Sequence, residues 1–475
     1  LAERRTGTEL RPGLWSWHIV RGDRAGGGGD RWALASDATF ERARLAPVER
    51  CLAGLGLTPA IRRYAASAPA RLPYWIASGG RFATAPQARR LAARAACSLH
   101  VVNRMADPDW KAGPWDVHLL VVDPRRYRGR IVVRSAPGAT RVSRMARAAH
   151  AVAGVNAGFF VTDARAGYVG SPAGISVIQG EWRREPVAAR PYLVVEDGTP
   201  ASMAIRRQLP ALPQIRWGDG TRTVLDGLNR RPGLIPNCGS LTHPQAARPE
   251  HDHPCRVADD LVAIRADEAL DAPAPDAVVA RVGCDGRLTR SAGAPRPCAY
   301  RLVATGTRRQ ALIAKLRRNG TARLDLRFGP SRDPGLYAVN GGPLLVADGR
   351  PVHDGAAEGW RIDRHSSDAA VTGFHDWYRR RNPRTAVGIT GRGLIYLLTV
   401  DGREFDAPSA QAGPGSVGLT IDEVRRVMMR LGAQDAMGLD GGGSTTAVVR
   451  GRLVNLPSDA GGERAVGDAI LLLDR

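Results

Sequence analysis

Short apolar runs that end in glycine-rich turns recur along this chain, and they restrict it to folds built from many brief strands. VAGVNAGFF (152–160), LYAVNGGPLLVADGR (336–350), AVGITGRGLIYLLTVDGR (386–403) and DAMGLDGGGSTTAVVRGRLVN (435–455) all have this form. The apolar stretches are of strand length, and Gly, Asn and Asp supply the turn conformations between them. With Gly 55 and Pro 33 in 475 residues, a helical bundle is excluded. No run approaches the ~20 apolar residues of a membrane-spanning helix. The expected fold is therefore β-rich and mixed-sheet, of the α+β class, and soluble.

Helices are predicted where apolar residues recur at helical spacing. Within residues 84–97, Ala88, Leu91 and Ala95 fall on one face while Arg89, Arg90 and Arg94 lie elsewhere. Others are expected at 141–152, at about 308–318, and after Thr420, where Glu423 completes a capping box. A strand is expected in 9–22, followed by a Gly-rich linker, RGDRAGGGGDR. Residues 40–110 then read as a separate small α/β module: a short strand at 74–77, the turn GGRF, a helix, and a strand at 98–102. The third segment, 111–475, is expected to form one domain. Its stretch 200–330 is the least regular part, although DLVAIRA, AVVARVG and, after an Asn319-Gly320 turn, TARLDLRF look like strands.

The net charge of +22 raises the question of a nucleic-acid partner. All basic residues but Lys111 and Lys315 are arginine, and they are spread over the whole chain rather than gathered into one stripe. That pattern matches base-composition drift better than a phosphate-tracking surface, so no nucleic-acid partner is expected. The six cysteines, Cys51, Cys97, Cys238, Cys255, Cys284 and Cys298, contain no CxxC. An even count at loop-scale spacing reads as a disulfide set of an exported protein, with connectivity open. The chain starts at Leu1 with no basic-then-apolar leader, so a signal peptide of a secreted or cell-envelope protein is expected either to have been removed or never to have been included in this sequence.

Three motifs carry chemistry. In Leu439-Asp440-Gly441-Gly442-Gly443-Ser444-Thr445 a strand delivers an acid to a loop whose glycines let a ligand approach backbone N–H groups. It lacks the Gly-Lys-Ser/Thr ending of a phosphate-binding P-loop. Val155-Asn156-Ala157-Gly158-Phe159-Phe160 and Val339-Asn340-Gly341-Gly342-Pro343 each run an apolar strand into Asn-small-Gly, where the amide suits a sugar hydroxyl or a phosphoryl oxygen. Asn382-Pro383-Arg384-Thr385 places a guanidinium fork at a strand entry. The bland alternatives are ordinary turns and a surface arginine.

These motifs, in this order, resemble the phosphodiester glycosidase family. The resemblance spans about 115–475 and is carried by VNAGFF, DGLNRRPG, AVNGGPLLVADG, NPRTAVGIT, SVGLTIDEVRRVMMRLGAQDAMGLDGGGSTT, RLVNLPSD and GERAVGDAILL. It is weak over 200–330. It implies hydrolysis at the anomeric carbon of a sugar-1-phosphodiester, releasing the sugar and a phosphomonoester. On that basis Asp440, Arg384, Asn340 and Asn156 are the expected catalytic residues. Gly341, Gly342, Thr385, Gly441, Gly442, Gly443, Ser444 and Phe159 are the expected substrate-binding ones. Asp440 would act as nucleophile or water-activating base, with Arg384 and the loop N–H groups holding phosphate. A second carboxylate is sought among Asp163, Glu181, Asp401 and Glu423, the last better explained by its capping box. No cofactor is required, and a divalent metal stays open.

The segment 52–59 with YWIASGGRFATAPQARRLAARA is similar to a SPOR domain, which implies binding to peptidoglycan glycan strands. Strand-like sequence on both flanks, 1–39 and from Trp115, suggests that this module is inserted near the start of the larger domain. Cys238, His243, His251, His253 and Cys255 could bind zinc, but their spacing matches no standard finger, and a Cys238–Cys255 disulfide is the better expectation. Trp360 and Trp377 are candidate walls of a sugar-binding cleft. Two further functions stay open: a glycoside hydrolase acting on unphosphorylated wall glycan, and a non-catalytic glycan-binding envelope protein.

Overall fold

The computed structural model describes residues 2–22, 31–243, 254–267, 278–289, 296–318, 321–329, 333–403 and 415–475. Most of the Gly-rich linker, the Asn319-Gly320 turn, His251 and His253 lie outside these residues. The chain packs as two compact units. One comprises Leu1–Tyr127, Pro343–Ala356 and Trp360–Arg464; the other comprises Arg128–Gly342, Ala357–Gly359 and Ala465–Arg475. The expected span 111–475 is thus shared between two units, because strands far apart in sequence pair within each.

The first unit is built on an eight-stranded antiparallel sheet. Its order is Glu3–Arg11, Leu14–Arg21, Trp115–Val122, Ile395–Val400, Arg384–Thr390, Ala433–Gly438, Leu344–Ala347, Arg350–Pro351. Leu14 is partnered with Val122 and Arg21 with Trp115, so neighbouring strands bracket residues 22–114 in sequence. The helix Ile421–Arg430 packs on the sheet through Ile421, Val424 and Met428. Its start is the expected capping box: Thr420 Oγ1 accepts from Glu423 N at 3.0 Å, and Thr420 N donates to Glu423 Oε2 at 2.9 Å.

The bracketed residues form a β-α-β-β-α-β module. Strands Ala60–Tyr64, Tyr74–Phe82, Trp32–Ala35 and His100–Asn103 lie in that order, all antiparallel, with helices Ala46–Gly54 and Ala85–Ala92. Trp32, Leu34, Leu45, Leu52, Ala77, Ala85 and Ala88 form its core. The expected strand end at Ala77 is corrected here: the strand runs on to Phe82. Gly79 and Gly80 are absorbed within it, Gly80 at φ +82, beside a register shift opposite Trp32 and Leu34. Cys51–Cys97 joins the first helix to the segment after the second.

The second unit contains three-stranded and five-stranded sheets. Strands Arg130–Arg141, Ala465–Leu473 and Ala153–Asn156 pair antiparallel in that order. Glu181–Arg184, Ser176–Ile178, Tyr337–Asn340, Tyr192–Val195 and Met203–Arg206 form a five-stranded sheet. Much of the span expected to be irregular is ordered. Asp260–Arg265, Tyr300–Thr305 and Val278–Val282 form the centre of a second five-stranded sheet, which includes one parallel pair, and helix Gly306–Arg318 packs on it. Trp182, Trp217, Tyr192, Leu302 and Phe328 lie in its core. Cys238–Cys255 and Cys284–Cys298 complete the sequential pairing of all six cysteines. Among the described residues no helix is long and apolar enough to cross a membrane.

Candidate functional site

The sequence-predicted residues fall into two clusters, one in each unit. In the first unit, strands Arg384–Thr390 and Ala433–Gly438 are neighbours, with Ala386 opposite Gly438 and Leu439 N donating to Thr385 O at 2.9 Å. Gly441 lies beside the same strand entry, where a Cβ would stand 3.8 Å from Arg384 Cα. The turn after Asp440 is drawn tight against the strand entry by Gly442 N, which donates to Pro383 O at 2.9 Å.

The glycines answer to separate demands. A Cβ on Gly441 would lie 2.8 Å from Pro383 O, and Gly442 has φ +61. A Cβ on Gly443 would lie 2.1 Å from Asp459 Oδ1 and 2.2 Å from Arg464. The loop is therefore glycine-rich partly to admit an ion pair: Arg464 donates to Asp459 at 2.7 and 2.9 Å, with its NH1 3.5 Å from Ser444 Oγ. Asp440 is buried, and its Oδ1 accepts from Gly441 N at 2.9 Å. The buried Thr445 hydroxyl has no hydrogen-bond partner among the described residues.

Arg384 is buried rather than surface-exposed. Its Nε donates to Leu419 O at 2.8 Å, and NH2 donates to the carbonyls of Trp377 and Arg380. No carboxylate oxygen among the described residues lies within ion-pair distance of it. Burial, reinforced by nearby Arg403, pushes its pKa down to about 9. The guanidinium lies over the Trp377 ring at 4.8 Å, and Trp377 stacks on Trp360 at 4.3 Å. Trp360 is 1% exposed, so its expectation as a cleft wall is corrected: its ring is filled by packing. Arg403, which the sequence reading missed, donates from Nε to Asn382 Oδ1 at 2.9 Å. Its guanidinium lies 3.6–3.9 Å from the point where a Gly442 Cβ would sit.

In the second unit Asn340 is bound to main chain. Its Oδ1 accepts from Phe159 N at 2.8 Å and its Nδ2 donates to Phe159 O at 3.2 Å, an imitation of a strand pairing. Gly158 is needed for this approach, since a Cβ there would lie 2.5 Å from Asn340 Nδ2. Asn156, Phe159, Gly341 and Gly342 are all buried. Asp468, also missed, accepts from Gly158 N at 2.8 Å; an acid inside the apolar run AVGDAILLL was the signal available. Asn340 lines a cavity of about 100 Å³ with Arg190, Tyr192 and Arg207.

The second-carboxylate candidates are engaged in different ways. Exposed Asp163 pairs with Arg165, and Glu181 accepts from the Tyr300 hydroxyl at 2.8 Å. Glu423 serves its capping box and pairs with Arg381 at 2.7 Å. Asp401 is buried, accepts from Asn455 Nδ2 at 2.9 Å and Leu456 N at 2.8 Å, and burial pushes its pKa up to about 6. The cysteine half of the proposed zinc cluster is spent in the Cys238–Cys255 disulfide.

The cluster built on Arg384 and Asp440 lies within the part of the chain that matches a family model. Residues 299–473 match the phosphodiester glycosidase family model. A solved structure of a putative exported protein from Burkholderia pseudomallei is similar over 99% of this chain and 96% of its own, with 26% identity and a TM-score of 0.80. A hypothetical protein from Synechocystis shares the fold at a TM-score of 0.53 and 16% identity, covering 100% of this chain and 80% of that one. The uncharacterized SPbeta prophage-derived protein YomE of Bacillus subtilis (strain 168) is 35% identical over 92 residues, 19% of this chain. The matched segment spans 13% of that relative's length.

Proposed function

We propose that this protein hydrolyses a sugar-1-phosphodiester, with the first-unit cluster as its reaction centre. The observation that carries this reading is Arg384, a buried guanidinium with no carboxylate within ion-pair distance among the described residues, at the strand entry against which the turn after the buried acid Asp440 is drawn. An uncompensated cation in a low-dielectric setting favours an anion beside it, and a phosphodiester supplies one. Arg403 adds a second positive charge next to the glycine loop.

In this reading Arg384 acts through the field it creates and through the strand entry it fixes, since its Nε and NH2 are engaged by carbonyls. Arg403 is the guanidinium that meets phosphate. The bond from the anomeric carbon to the phosphate oxygen breaks, and its electron pair leaves with the phosphomonoester. Asp440 either attacks the anomeric carbon or takes the proton of the water that does. Asn340, Asn156 and Asp468 set the Phe159 turn. The β-α-β-β-α-β order of the N-terminal module is consistent with the SPOR-like reading, in which it holds a glycan strand. The three disulfides and the likeness to a putative exported protein support secretion or residence in the cell envelope.

The test compares a sugar-1-phosphodiester with the matching plain glycoside. Phosphodiester turnover should dominate, and Asp440→Asn should lower it by about 10²–10⁴-fold with the fold intact by circular dichroism. Equal turnover of the plain glycoside favours the glycoside-hydrolase alternative. Undiminished turnover in Asp440→Asn removes Asp440 from the chemistry.

A further inference from the structure

A second polar cluster in the first unit lies on strands Leu14–Arg21, Trp115–Val122 and Ile395–Val400. Side chains alternate along a strand, so Leu14, Val122, Leu120, Ile395 and Leu397 share one face and bury it. Towards the other end of the strands the same face turns polar. His18 is directly opposite His118, which is directly opposite Thr399, and Asp116 follows two residues before His118. The two imidazoles stack at 4.5 Å with 3° between their planes, and both present Nε2 to one oxygen. Asp116 Oδ1 lies 2.7 Å from His18 Nε2 and 3.2 Å from His118 Nε2.

Both Nε2 atoms converge on one carboxylate oxygen, and in the tautomer with its proton on Nδ1 an imidazole turns its lone pair to that same point. The three ligand atoms lie within 4.8 Å of one another. Ligands at the ordinary zinc distances of about 2.0–2.1 Å are about 3.3 Å apart in a tetrahedron, close to the separations already present. His118 and Asp116 are buried, whereas the His18 side chain is 43% exposed, which leaves a route from solvent and a position for water. Asp401 Oδ2 stands 4.0 Å from the same His118 Nε2 and adds a second acid near it.

A group of the same residue types in the second unit gives the contrast. Asp226, His243 and Asp260 also lie close together, but Arg308 donates to Asp226 at 2.6 Å, and Arg230 holds both oxygens of Asp260. Those carboxylates are already neutralised by arginine, and among the described residues no arginine is paired with Asp116.

We propose that His18, Asp116 and His118 bind a divalent cation of the zinc class, with water completing the coordination. Two imidazoles and one carboxylate suit Zn²⁺, Co²⁺ or Ni²⁺ rather than the all-oxygen cations Mg²⁺ and Ca²⁺. The three ligands are not among the residues of the reaction centre proposed above, and the test does not depend on activity. The full chain, stripped with EDTA and dialysed, is titrated calorimetrically with ZnCl₂ at pH 7.5, and with CoCl₂ while the visible spectrum is recorded. One equivalent should bind, and Co²⁺ should give the intense visible bands of low coordination number. His18→Ala removes an accessible ligand at little cost to the fold and should weaken binding by about 10–100-fold, with circular dichroism unchanged. Absence of stoichiometric binding to the wild type overturns the proposal. So does undiminished binding in His18→Ala, which would put the cation elsewhere, for instance at Asp226, His243 and Asp260.

Discussion

Two arginines of this chain are buried to the same degree and live in opposite electrostatic worlds. In the second unit, Arg230 is wrapped by carboxylates. It donates to Glu185 at 2.7 Å and to both oxygens of Asp260 at 2.6 and 2.9 Å, with Asp226 O, Arg231 O and Leu234 O beside them. Burial alone would lower its pKa, but Asp260 and Glu185 raise it well above the ordinary value. In the first unit, Arg384 donates to carbonyls and lies over an indole, and its pKa is pushed down. A saturated guanidinium is a structural rivet with nothing left to offer a ligand. An unsaturated one costs the fold more and retains a positive field. Burial by itself therefore does not distinguish scaffold from site; the identity of the acceptors does.

The largest expected effect breaks the rivet. Arg230→Met leaves Asp260 buried without its arginine and Glu185 with only the longer contact to Arg184 at 3.7 Å, and should destabilise the second unit by about 3–5 kcal/mol in chemical denaturation. Arg384→Met should behave differently. It forsakes hydrogen bonds to three carbonyls but also removes an uncompensated charge, so its net stability change should stay within about 2 kcal/mol. Turnover of a phosphodiester, by contrast, should fall about 10²-fold if the field of Arg384 serves the reaction. A stability loss as large as that of Arg230→Met would erase the distinction between the two. The smallest effect belongs to a third, half-open arrangement. Asp325 pairs with Arg327 and Arg216, and those arginines pull its pKa down to about 2. A lowered carboxylate pKa stabilises the folded state above the ordinary value near 3.8 and loses that contribution as pH falls towards 2. Both arginine partners are about two-fifths exposed, so solvent screens the pairs and the contribution is at most about 1 kcal/mol. Denaturation midpoints of wild type and Asp325→Asn should differ at pH 5 and converge below pH 3.

The same contrast explains what the sequence reveals and what it hides. Thr420 and Glu423 are legible because a capping box is local, and the hairpin 384–400 is legible because its apolar runs flank Gly391 and Gly393. The ordering of 200–330 is hidden because many of its strands are two to six residues long and depend on polar, long-range ties such as Arg230 to Asp260. Gly79 and Gly80 imitate a turn but are a distortion inside a strand. At the candidate site, Asp440 and its glycines are visible as a motif, whereas the reason for Gly443 is an ion pair, Asp459 with Arg464, that no local pattern announces. Asn340 reads as a ligand-facing amide from its neighbours. Its real partner, Phe159, lies 181 residues away. Asp468 shows only as an acid inside an apolar run, and Arg403 emerges only from proximity.

The stack of Trp360, Trp377 and Arg384 has an optical consequence. An indole in contact with a guanidinium on one face and a second indole on the other is an intrinsic reporter of what happens to that guanidinium. Anion arrival near Arg384 should alter the emission of Trp377, so occupancy could be followed by fluorescence without a label, a chromogenic substrate or turnover.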